Sequence, residues 1–418
     1  MKKIIERIRY WGQLLLLPVY WFSFLFPRNR KIWLFGSTFG RRFADNPRYF
    51  YLYVNQSEEC RDIRAIWISH NKEIVEFLQQ NGYEAYYYHS WKGIWYCLRG
   101  KVYLFDNYSK DISFWLSGGA TKVNMWHGVG NKKINYDNEH DKVRHPQNMW
   151  ERFKYFPRRL SDEKPSHYIL TTSPMMSEIF SRAFQIPMER VIEVGYPRND
   201  ILFRECEIQN LYLPVEQELQ DELAEWKLQG KTIVGYMPTF RPSEQKFTEV
   251  MDLKEFNHFL QEHSMQFVCK LHPKSQCKQV FQEMDYSNIT VVDSEVDVNS
   301  FLNQIDILVA DYSSVYSDYL LLNRPVVPFF YDFEEYSRDT RDAYFDWDEY
   351  MPDRKVYTQD GLEQAIKNVL HQDEMLARRQ EFREKIYTDI SCSACERMSR
   401  CLRSEKHVVT KDRGLQVN

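Results

Sequence analysis

Short apolar runs alternate with amphipathic helical patterns along almost the whole chain, and this alternation is what most restricts the possible folds. Parallel strands need crossover connections, which are usually helices, so the pattern predicts an α/β fold with parallel sheets. The predicted strands fall into two groups, residues 32–36, 65–69, 85–88, 102–105, 122–126, 168–172 and 191–195, and then residues 232–237, 267–271, 289–292, 307–310 and 326–330. Because single cores stop growing beyond roughly 250 to 300 residues, a chain of 418 residues is expected to form two domains.

Both domains are predicted to be Rossmann-like, doubly wound sheets that face each other across a central cleft. The predicted boundaries are residues 31–204 for the first domain, 205–216 for a polar linker, 217–404 for the second domain with its C-terminal helices, and 405–418 for a disordered tail. The first strand is followed by Gly36-Ser37-Thr38-Phe39-Gly40, which lacks the G-x-G-x-x-G fingerprint. Dinucleotide binding at that turn therefore has little support.

Residues 1–30 join a basic stretch to an apolar, aromatic run over residues 10–26. This run is at the short limit for crossing a hydrocarbon core of about 30 Å, and Pro18 interrupts it. No small-residue cleavage site follows, so a removed signal peptide is not expected. Trp11, Tyr20 and Trp21 have amphipathic rings that favour the headgroup level, so the segment is predicted to lie on the membrane surface. A buried helix and a true anchor are the alternatives.

Charge and cysteine usage exclude several classes of protein. The net charge of −4 argues against a nucleic-acid binder, which needs an excess of Lys and Arg on one face. The eight cysteines are scattered in a long chain and are interpreted as reduced thiols. Cys392-Ser393-Ala394-Cys395 has no second ligand pair and is predicted to mark a helix start. Asp346-Trp347-Asp348 also lacks supporting ligands, so no metal site is predicted.

Polar motifs directly follow several predicted strands in both domains. Because the carboxyl ends of facing parallel sheets meet at one cleft, these motifs are expected to share a site. The candidate binding residues at these positions are Lys132, Arg198 and Asn199 in the first domain, and Thr239, Arg241, His272, Lys274, Asp311, Ser313 and Ser314 in the second.

Ser313 and Ser314 follow an apolar strand and open a helix, so free N–H groups and two hydroxyls converge where an anion would sit. A plain N-cap is the alternative. The neighbouring motifs on the same rim favour a phosphate site.

His127 is the candidate catalytic residue, although it could also donate to a phosphate or be structural. An imidazole with a pKa near 6.5 can take a proton from a hydroxyl at neutral pH, and Gly128 would let a substrate come close. Asp137 is near enough in sequence to orient His127. The strand-end position beside Lys132 and Lys133 favours a catalytic role.

Together the motifs resemble the CDP-glycerol glycerophosphotransferases, the teichoic-acid primases and polymerases and their capsule-synthesis relatives, over roughly residues 30 to 400. The matching strings are Trp126-His127-Gly128 with Lys132-Lys133, Gly195-Tyr196-Pro197-Arg198-Asn199-Asp200, Pro238-Thr239-Phe240-Arg241, Leu271-His272-Pro273, and Asp311-Tyr312-Ser313-Ser314-Val315. The loop Val129-Gly130-Asn131 departs from the pattern of many members and is expected to face the acceptor.

The resemblance implies a GT-B-like fold and transfer of glycerol phosphate, or a related alditol phosphate, from CDP-glycerol or CDP-ribitol to a hydroxyl, with release of CMP. The acceptor would be lipid-linked or a polymer, and no cofactor is implied. The protein is expected at the cytoplasmic face of the bacterial membrane as a peripheral protein, and a homo-oligomer is compatible with this. By resemblance His127 is the base, and Thr239, Arg241, His272, Ser313 and Ser314 hold the donor diphosphate.

Two other functions stay open at this point. A GT-B glycosyltransferase that uses a nucleotide sugar would share the fold and the cleft. A non-catalytic scaffold of a membrane-bound assembly would need no phosphate ligands. Within the resembled family, a single-addition or priming enzyme is favoured over a polymerase, because the chain carries no long extra region.

Overall fold

The computed structural model describes residues 5–6, 10–162, 166–241, 245–272, 275, 281, 286–339 and 342–404, and within these it contains two parallel sheets. The first sheet consists of β1 (Asn29–Gly36), β2 (Arg64–Ser69), β3 (Ala85–Tyr87), β4 (Gly100–Phe105), β5 (Thr121–Asn124), β6 (Tyr168–Thr171) and β7 (Val191–Glu193). The second consists of β8 (Thr232–Tyr236), β9 (Met265–Cys269), β10 (Ile289–Val291), β11 (Ile307–Ala310) and β12 (Val326–Pro328). The predicted α/β fold with two parallel sheets is confirmed.

The strand orders are β3-β2-β1-β4-β5-β6-β7 and β10-β9-β8-β11-β12. In the first sheet Trp33 lies opposite Ala65 of β2 and Val102 of β4. In the second, Val234 lies opposite Phe267 of β9 and Ile307 of β11. The order therefore reverses between β1 and β4 in one sheet and between β8 and β11 in the other, which are the positions where open α/β sheets bind ligands.

Helices cover the sheets, so the central strands are buried on both faces, as expected for parallel sheets. The α-helices that the structure bounds are α1 (Leu17–Phe22), α2 (Asp45–Gln56), α3 (Lys72–Gln80), α4 (Trp91–Arg99), α5 (Met149–Asp162), α6 (Pro174–Phe184), α7 (Pro197–Asp200), α8 (Pro214–Leu228), α9 (Gln245–Val250), α10 (Leu253–Glu262), α11 (Val315–Tyr319), α12 (Phe333–Asp339), α13 (Trp347–Tyr350), α14 (Gln359–His371), α15 (Leu376–Ile386) and α16 (Ala394–Arg403). Their starts follow local capping chemistry: for example, Asn71 accepts from the N–H of Glu73 at the start of α3.

The last helix returns to the first sheet. The N–H groups of Ala394 and Cys395 donate to the Asp200 carboxylate at 3.0 and 2.8 Å, and α16 packs against α2 and α7. Met398 and Leu402 are buried there. This differs from the predicted boundary, which placed residues up to 404 with the second domain. The predicted linker also differs, because α8 begins at Pro214, and the predicted tail lies outside the described residues.

The N-terminal segment forms short helical turns rather than one helix. The turn Gln13–Leu16 leads into α1, and the turn Ser23–Leu25 follows it. Tyr20 stacks on Phe114 with 4.9 Å between ring centroids, whereas Trp21 and Leu25 are exposed. None of the helices in the described ranges has the length and apolar character needed to cross a bilayer.

Polar contacts also join the domains outside the cleft. Arg48 of α2 forms an ion pair with Glu216 of α8 at 2.7 Å, and both side chains are fully buried. The N–H of Asp297 also donates to the Glu216 carboxylate, at 2.9 Å. Arg42 donates to the carbonyl oxygens of Glu295 and Val296. These contacts hold the two strand-end edges against each other.

Candidate active site

His127 lies just beyond β5, where the chain turns sharply. Trp126 has a φ of 51°, in the left-handed region, and its N–H donates to the Asn124 side chain at 2.8 Å. The Trp126 ring packs against Phe184 of α6 with 4.6 Å between centroids. The turn therefore fixes where the His127 ring emerges.

A hydrogen bond at Nδ1 decides which ring nitrogen of His127 carries the hydrogen. Its Nδ1 lies 3.0 Å from the carbonyl oxygen of Asp106, which can only accept, so Nδ1 carries the hydrogen and Nε2 of the neutral ring is unprotonated. Burial lowers the pKa of His127 below its ordinary value, and the nearby Asp106 acts in the opposite direction. The ring is therefore neutral at pH 7 and can accept a proton at Nε2.

Asp137 does not orient His127, in contrast to the prediction from sequence. Its carboxylate accepts two bonds of 2.9 Å from Arg182 and one of 2.9 Å from the Tyr344 hydroxyl. The group that orients the imidazole is the main chain of Asp106. Sequence reasoning missed Asp106, although its position directly after β4 follows the same strand-end rule that identified His127.

The Arg198 guanidinium lies beneath the His127 loop and connects the two domains. It donates to Asp45 at 3.0 Å and to the His127 carbonyl at 2.9 Å, and its other terminal nitrogen donates to Asp318 of the second domain at 2.6 Å. Burial raises the pKa of Asp45 to about 7, against the opposing effect of Arg198. Arg198 thus links the two domains, and its predicted substrate-binding role stays a prediction.

Asn199, the next residue in the chain, is buried like Arg198. Its side chain is buried and its amide lies 3.5 Å from the Tyr387 hydroxyl. Its side chain therefore faces packed protein, and its predicted substrate-binding role stays a prediction.

At Gly128 the His127 loop comes close to the second domain. Its φ is 137°, and a Cβ built on it would lie 2.8 Å from Arg198 Nη2 and 3.4 Å from Ser314 Oγ. Any larger residue would push the His127 loop away from the Ser313–Ser314 turn. The glycine therefore permits the contact between the two strand ends.

Asp311 holds together the loops that follow β8 and β11. It is fully buried and accepts from the Thr239 N–H at 2.8 Å, the Thr239 hydroxyl at 3.2 Å and the Ser313 N–H at 3.0 Å. The loops after β8 and β11 are thus tied together at the point where the strand order reverses. These bonds give Asp311 a structural role, and its predicted role as a substrate ligand stays a prediction.

Arg241 forms ion pairs inside the second domain. It pairs with Asp311 at 2.8 Å and with Asp332 through two bonds, and the Tyr331 ring centroid lies 5.0 Å from its guanidinium carbon. Its charge is balanced by two buried carboxylates. The prediction that Arg241 holds the donor diphosphate is therefore not supported by its surroundings.

Five of the predicted binding residues are not buried. Ser313, Ser314, Lys132 and Thr239 are partly exposed and His272 is exposed. Ser314 stands at the N-cap of α11 but its side chain makes no capping bond, so the plain N-cap alternative does not describe its hydroxyl. The Lys132 ammonium lies 4.9 Å from the Tyr336 ring centroid, and the His272 ring lies 4.8 Å from that of Phe240. Lys274 lies outside the described residues.

The loop Val129-Gly130-Asn131 docks onto the second domain. The buried Asn131 side chain donates to the Phe345 carbonyl at 3.0 Å and accepts from its N–H at 2.8 Å. The Asn131 carbonyl accepts from Tyr344 at 2.7 Å. Asn131 therefore belongs to the domain interface rather than to a surface that faces an acceptor.

Comparisons with known proteins identify the family of the chain. The family model described as CDP-Glycerol:Poly(glycerophosphate) glycerophosphotransferase matches residues 19–403. The teichoic acid poly(glycerol phosphate) polymerase of Bacillus spizizenii is 27% identical over 353 residues, which are 82% of this chain and 84% of that protein. The teichoic acid glycerol-phosphate transferase of Staphylococcus aureus is 27% identical over 351 residues, with the same shares. The Staphylococcus epidermidis polymerase is 28% identical over 379 residues, but these are 48% of its length.

Solved structures show the fold. The wall teichoic acid polymerase TagF superposes with a TM-score of 0.69 at 20% identity, over 97% of this chain and 98% of that one. A complex of Staphylococcus aureus MnaA with UDP superposes with a TM-score of 0.51 at 12% identity, over 93% and 98% of the two chains. The predicted GT-B-like arrangement of two facing α/β domains is thereby confirmed.

Proposed function

The chain belongs to the CDP-glycerol:poly(glycerophosphate) glycerophosphotransferase family, and from this premise we propose that it transfers glycerol phosphate, or a related alditol phosphate, from a CDP-activated donor to an acceptor hydroxyl. The observation that carries the proposal is the state of His127. Its Nδ1–H is fixed by the Asp106 carbonyl, its Nε2 is unprotonated, and its loop adjoins the Ser313–Ser314 turn of the other domain. A proton acceptor and hydroxyl donors thus meet across one cleft.

The proposed reaction is a direct in-line displacement. The acceptor oxygen attacks the donor phosphorus nearer the alditol, and the bond from that phosphorus to the bridging oxygen breaks, so that CMP leaves with the electron pair. The hydroxyl proton passes to His127 Nε2. Positioning and electrostatic stabilisation supply most of the rate in phosphoryl transfer, which suits a site with one base and several fixed polar groups.

The donor diphosphate is assigned to the second domain. The hydroxyls of Ser313 and Ser314 and the His272 imidazole are accessible at the rim, and Lys132 reaches the same rim from the first domain. These groups would neutralise the charge that builds up on the departing CMP. Asp311 supports this role indirectly, because it holds the Ser313 loop in place.

The decisive experiment follows CMP release from CDP-glycerol and from CDP-ribitol. His127→Ala is expected to lower the rate by about 100-fold to 10,000-fold, the usual contribution of general base catalysis, while calorimetry shows unchanged CDP binding. His371→Ala, which alters an exposed histidine at the end of α14, serves as the control and should behave as wild type. Wild-type turnover in His127→Ala would contradict the mechanism, and release of UDP from nucleotide sugars instead would favour a glycosyltransferase.

The acceptor is proposed to be lipid-linked or polymeric, and the protein to lie on the cytoplasmic membrane surface. Trp150 and Phe153 of α5 are exposed, at 70% and 56%, and Trp11 of the N-terminal segment packs on Phe153 with 4.7 Å between centroids. Basic residues of α5 alternate with these rings. An exposed apolar surface of this kind, fringed by positive charge, suits the anionic membrane interface.

The membrane proposal is tested by sedimentation with anionic lipid vesicles. Trp150→Asp with Phe153→Asp should release the protein from the vesicles, because both changes place charge at the apolar interface. Leu228→Asp, at an 89% exposed residue at the end of α8, is the matched control and should not alter binding. Equal vesicle binding by all three proteins would contradict the proposal.

A further inference from the structure

The second domain contains an open cavity of about 380 Å³ away from the cleft. It lies between the start of β12, the second half of α14 and the chain segments around residues 353–356 and 372–375. The cleft is formed at the carboxyl ends of the strands, whereas Val326 is the first residue of β12. The cavity is therefore separate from the proposed active site.

The size and the apolar wall of this cavity suit a small organic molecule. Sites for small molecules usually have volumes of about 300–1,000 Å³. One water molecule occupies roughly 30 Å³, so the cavity is much larger than a buried water would need. The apolar residues of the wall are Val326, Val327, Val356, Ala365, Val369 and Met375. An alkyl chain of several carbons fits against them.

Asp353 also lines the cavity, and half of its carboxylate has no protein partner. The residue is 4% exposed. Its Oδ1 accepts from Arg379 Nη1, but Oδ2 accepts from no group in the described parts of the chain. The neighbouring Tyr316 hydroxyl is itself buried without a partner and does not donate to it. Buried charged acceptors are rarely left unsatisfied, because the loss of hydration is large. Oδ2 therefore offers an acceptor to a ligand in the cavity.

The charge at this end of the cavity is also unbalanced. The Arg379 guanidinium pairs with Asp353 through Nη1 and with Asp373 through Nη2. One positive charge thus serves two carboxylates. Burial raises the pKa of Asp353 to about 6, against the opposing effect of Arg379, so the carboxylate is still mostly ionised at pH 7. Arg354 lines the cavity too, but it is exposed and its charge is screened by water.

We propose that this cavity binds a small aliphatic amine in its ammonium form. The ammonium donates to Asp353 Oδ2 and supplies the positive charge that the two carboxylates lack, and the alkyl chain packs against the apolar wall. An alcohol of the same length brings a donor without the charge, and a carboxylate adds to the negative charge. The site is independent of the proposed transfer reaction.

The proposal is tested by ligand-observed NMR titration of the full-length protein with pentylammonium, with 1-pentanol and pentanoate as probes of the same length. The wild type should bind pentylammonium at least about tenfold more tightly than pentanol and should not bind pentanoate, because hydrogen bonds between charged groups are the strong ones. Asp353→Asn keeps the shape of the side chain and removes its charge. The affinity for pentylammonium should therefore fall at least about tenfold in this variant.

A second variant leaves the Asp353–Arg379 pair intact. Ala365→Phe fills the cavity from α14 and should abolish pentylammonium binding. Glu381→Gln, which removes an exposed carboxylate from the same helix as Arg379, is the matched control and should bind as wild type does. Circular dichroism shows whether each variant is folded, and either folded variant decides the question.

Three results would overturn the proposal. Unchanged affinity in folded Asp353→Asn or Ala365→Phe would place the amine elsewhere on the protein. Equal affinity for pentanol and pentylammonium would reduce the site to an apolar cavity without charge recognition. An absence of pentylammonium binding by the wild type would leave Asp353 Oδ2 to water alone.

Discussion

At the scale of single residues, the partner of His127 explains how it can act as a base. A carboxylate at Nδ1 would stabilise the charged imidazolium and raise the pKa. The Asp106 carbonyl fixes the same tautomer with a smaller effect on charge, and burial lowers the pKa. The ring is therefore kept neutral and ready to accept a proton.

The first prediction concerns the pH dependence of turnover. Since the pKa of His127 is lowered from 6.5, the active unprotonated form persists below that pH, and activity is lost only as the pH falls through the lowered value. The kcat/KM for CMP release, measured from about pH 5 to about pH 9, should show an acid limb centred below the ordinary histidine value. An acid limb above that value would contradict the neutral state of His127.

The residues of the site were only partly predictable. The strand-end rule identified His127, but neighbourhood in sequence favoured Asp137 as its partner, and a main-chain carbonyl leaves no mark in a residue pattern. Arg198 and Arg241 carry the charge expected of phosphate ligands. Their carboxylate partners Asp318 and Asp332 lie 120 and 91 positions away in the chain, so their burial could not be foreseen.

At the scale of elements, two serines that each precede a helix have different roles. Ser173 caps α6, because its hydroxyl accepts from the Met176 N–H at 3.2 Å. The Ser314 side chain makes no capping bond at α11 and stands at the rim of the cleft. The same residue type in the same position thus serves stability in one case and is available to a ligand in the other.

The second prediction compares alanine substitutions of these serines. Ser314→Ala should raise the KM for the CDP-activated donor by about 10-fold to 150-fold, since hydrogen bonds to charged groups contribute about 1.5–3 kcal/mol, and should leave the melting temperature unchanged. Ser173→Ala should lower stability by about 1 kcal/mol and leave the donor KM unchanged. Steady-state kinetics and thermal unfolding measure both, and a stability loss in Ser314→Ala would show that its hydroxyl is structural.

Elements with a clear pattern of apolar residues were predictable from the sequence, and elements whose residues favour conflicting structures were not. The buried parallel strands stand out as apolar runs, and the observed strands fall within or beside the predicted ones. Helix α5 did not stand out, because Pro157 lies inside it and such a residue normally ends a helix. Its exposed aromatic residues become visible as one surface only after the fold is known.

At the scale of the whole molecule, the two domains are joined by more than the connection between them. Arg198 bridges Asp45 and Asp318, Asn131 docks onto Phe345, and α16 returns from the second domain to the first. The alternation of strands and helices predicted two sheets. It could not predict the return of α16, because an amphipathic pattern does not reveal which surface the apolar face will meet.

The third prediction tests how far α16 belongs to the first domain. Met398 is fully buried in the core cluster that contains Tyr196 and Phe50, so Met398→Ala should lower the free energy of unfolding by about 2–5 kcal/mol. Met188→Ala, at a 48% exposed methionine, should change it by no more than about 0.5 kcal/mol. Urea denaturation measures both, and equal stability of the two variants would show that α16 only lies on the surface.

The return of α16 also sets an order of events during protein synthesis. Asp200 and the faces of α2 and α7 emerge from the ribosome early, but Ala394 and Cys395, which satisfy the Asp200 carboxylate, emerge almost two hundred residues later. Domains generally fold as units while the chain grows. Here the apolar face of the amino-terminal domain stays uncovered until residues 394–403 have been made, so its core is completed only at the end of synthesis.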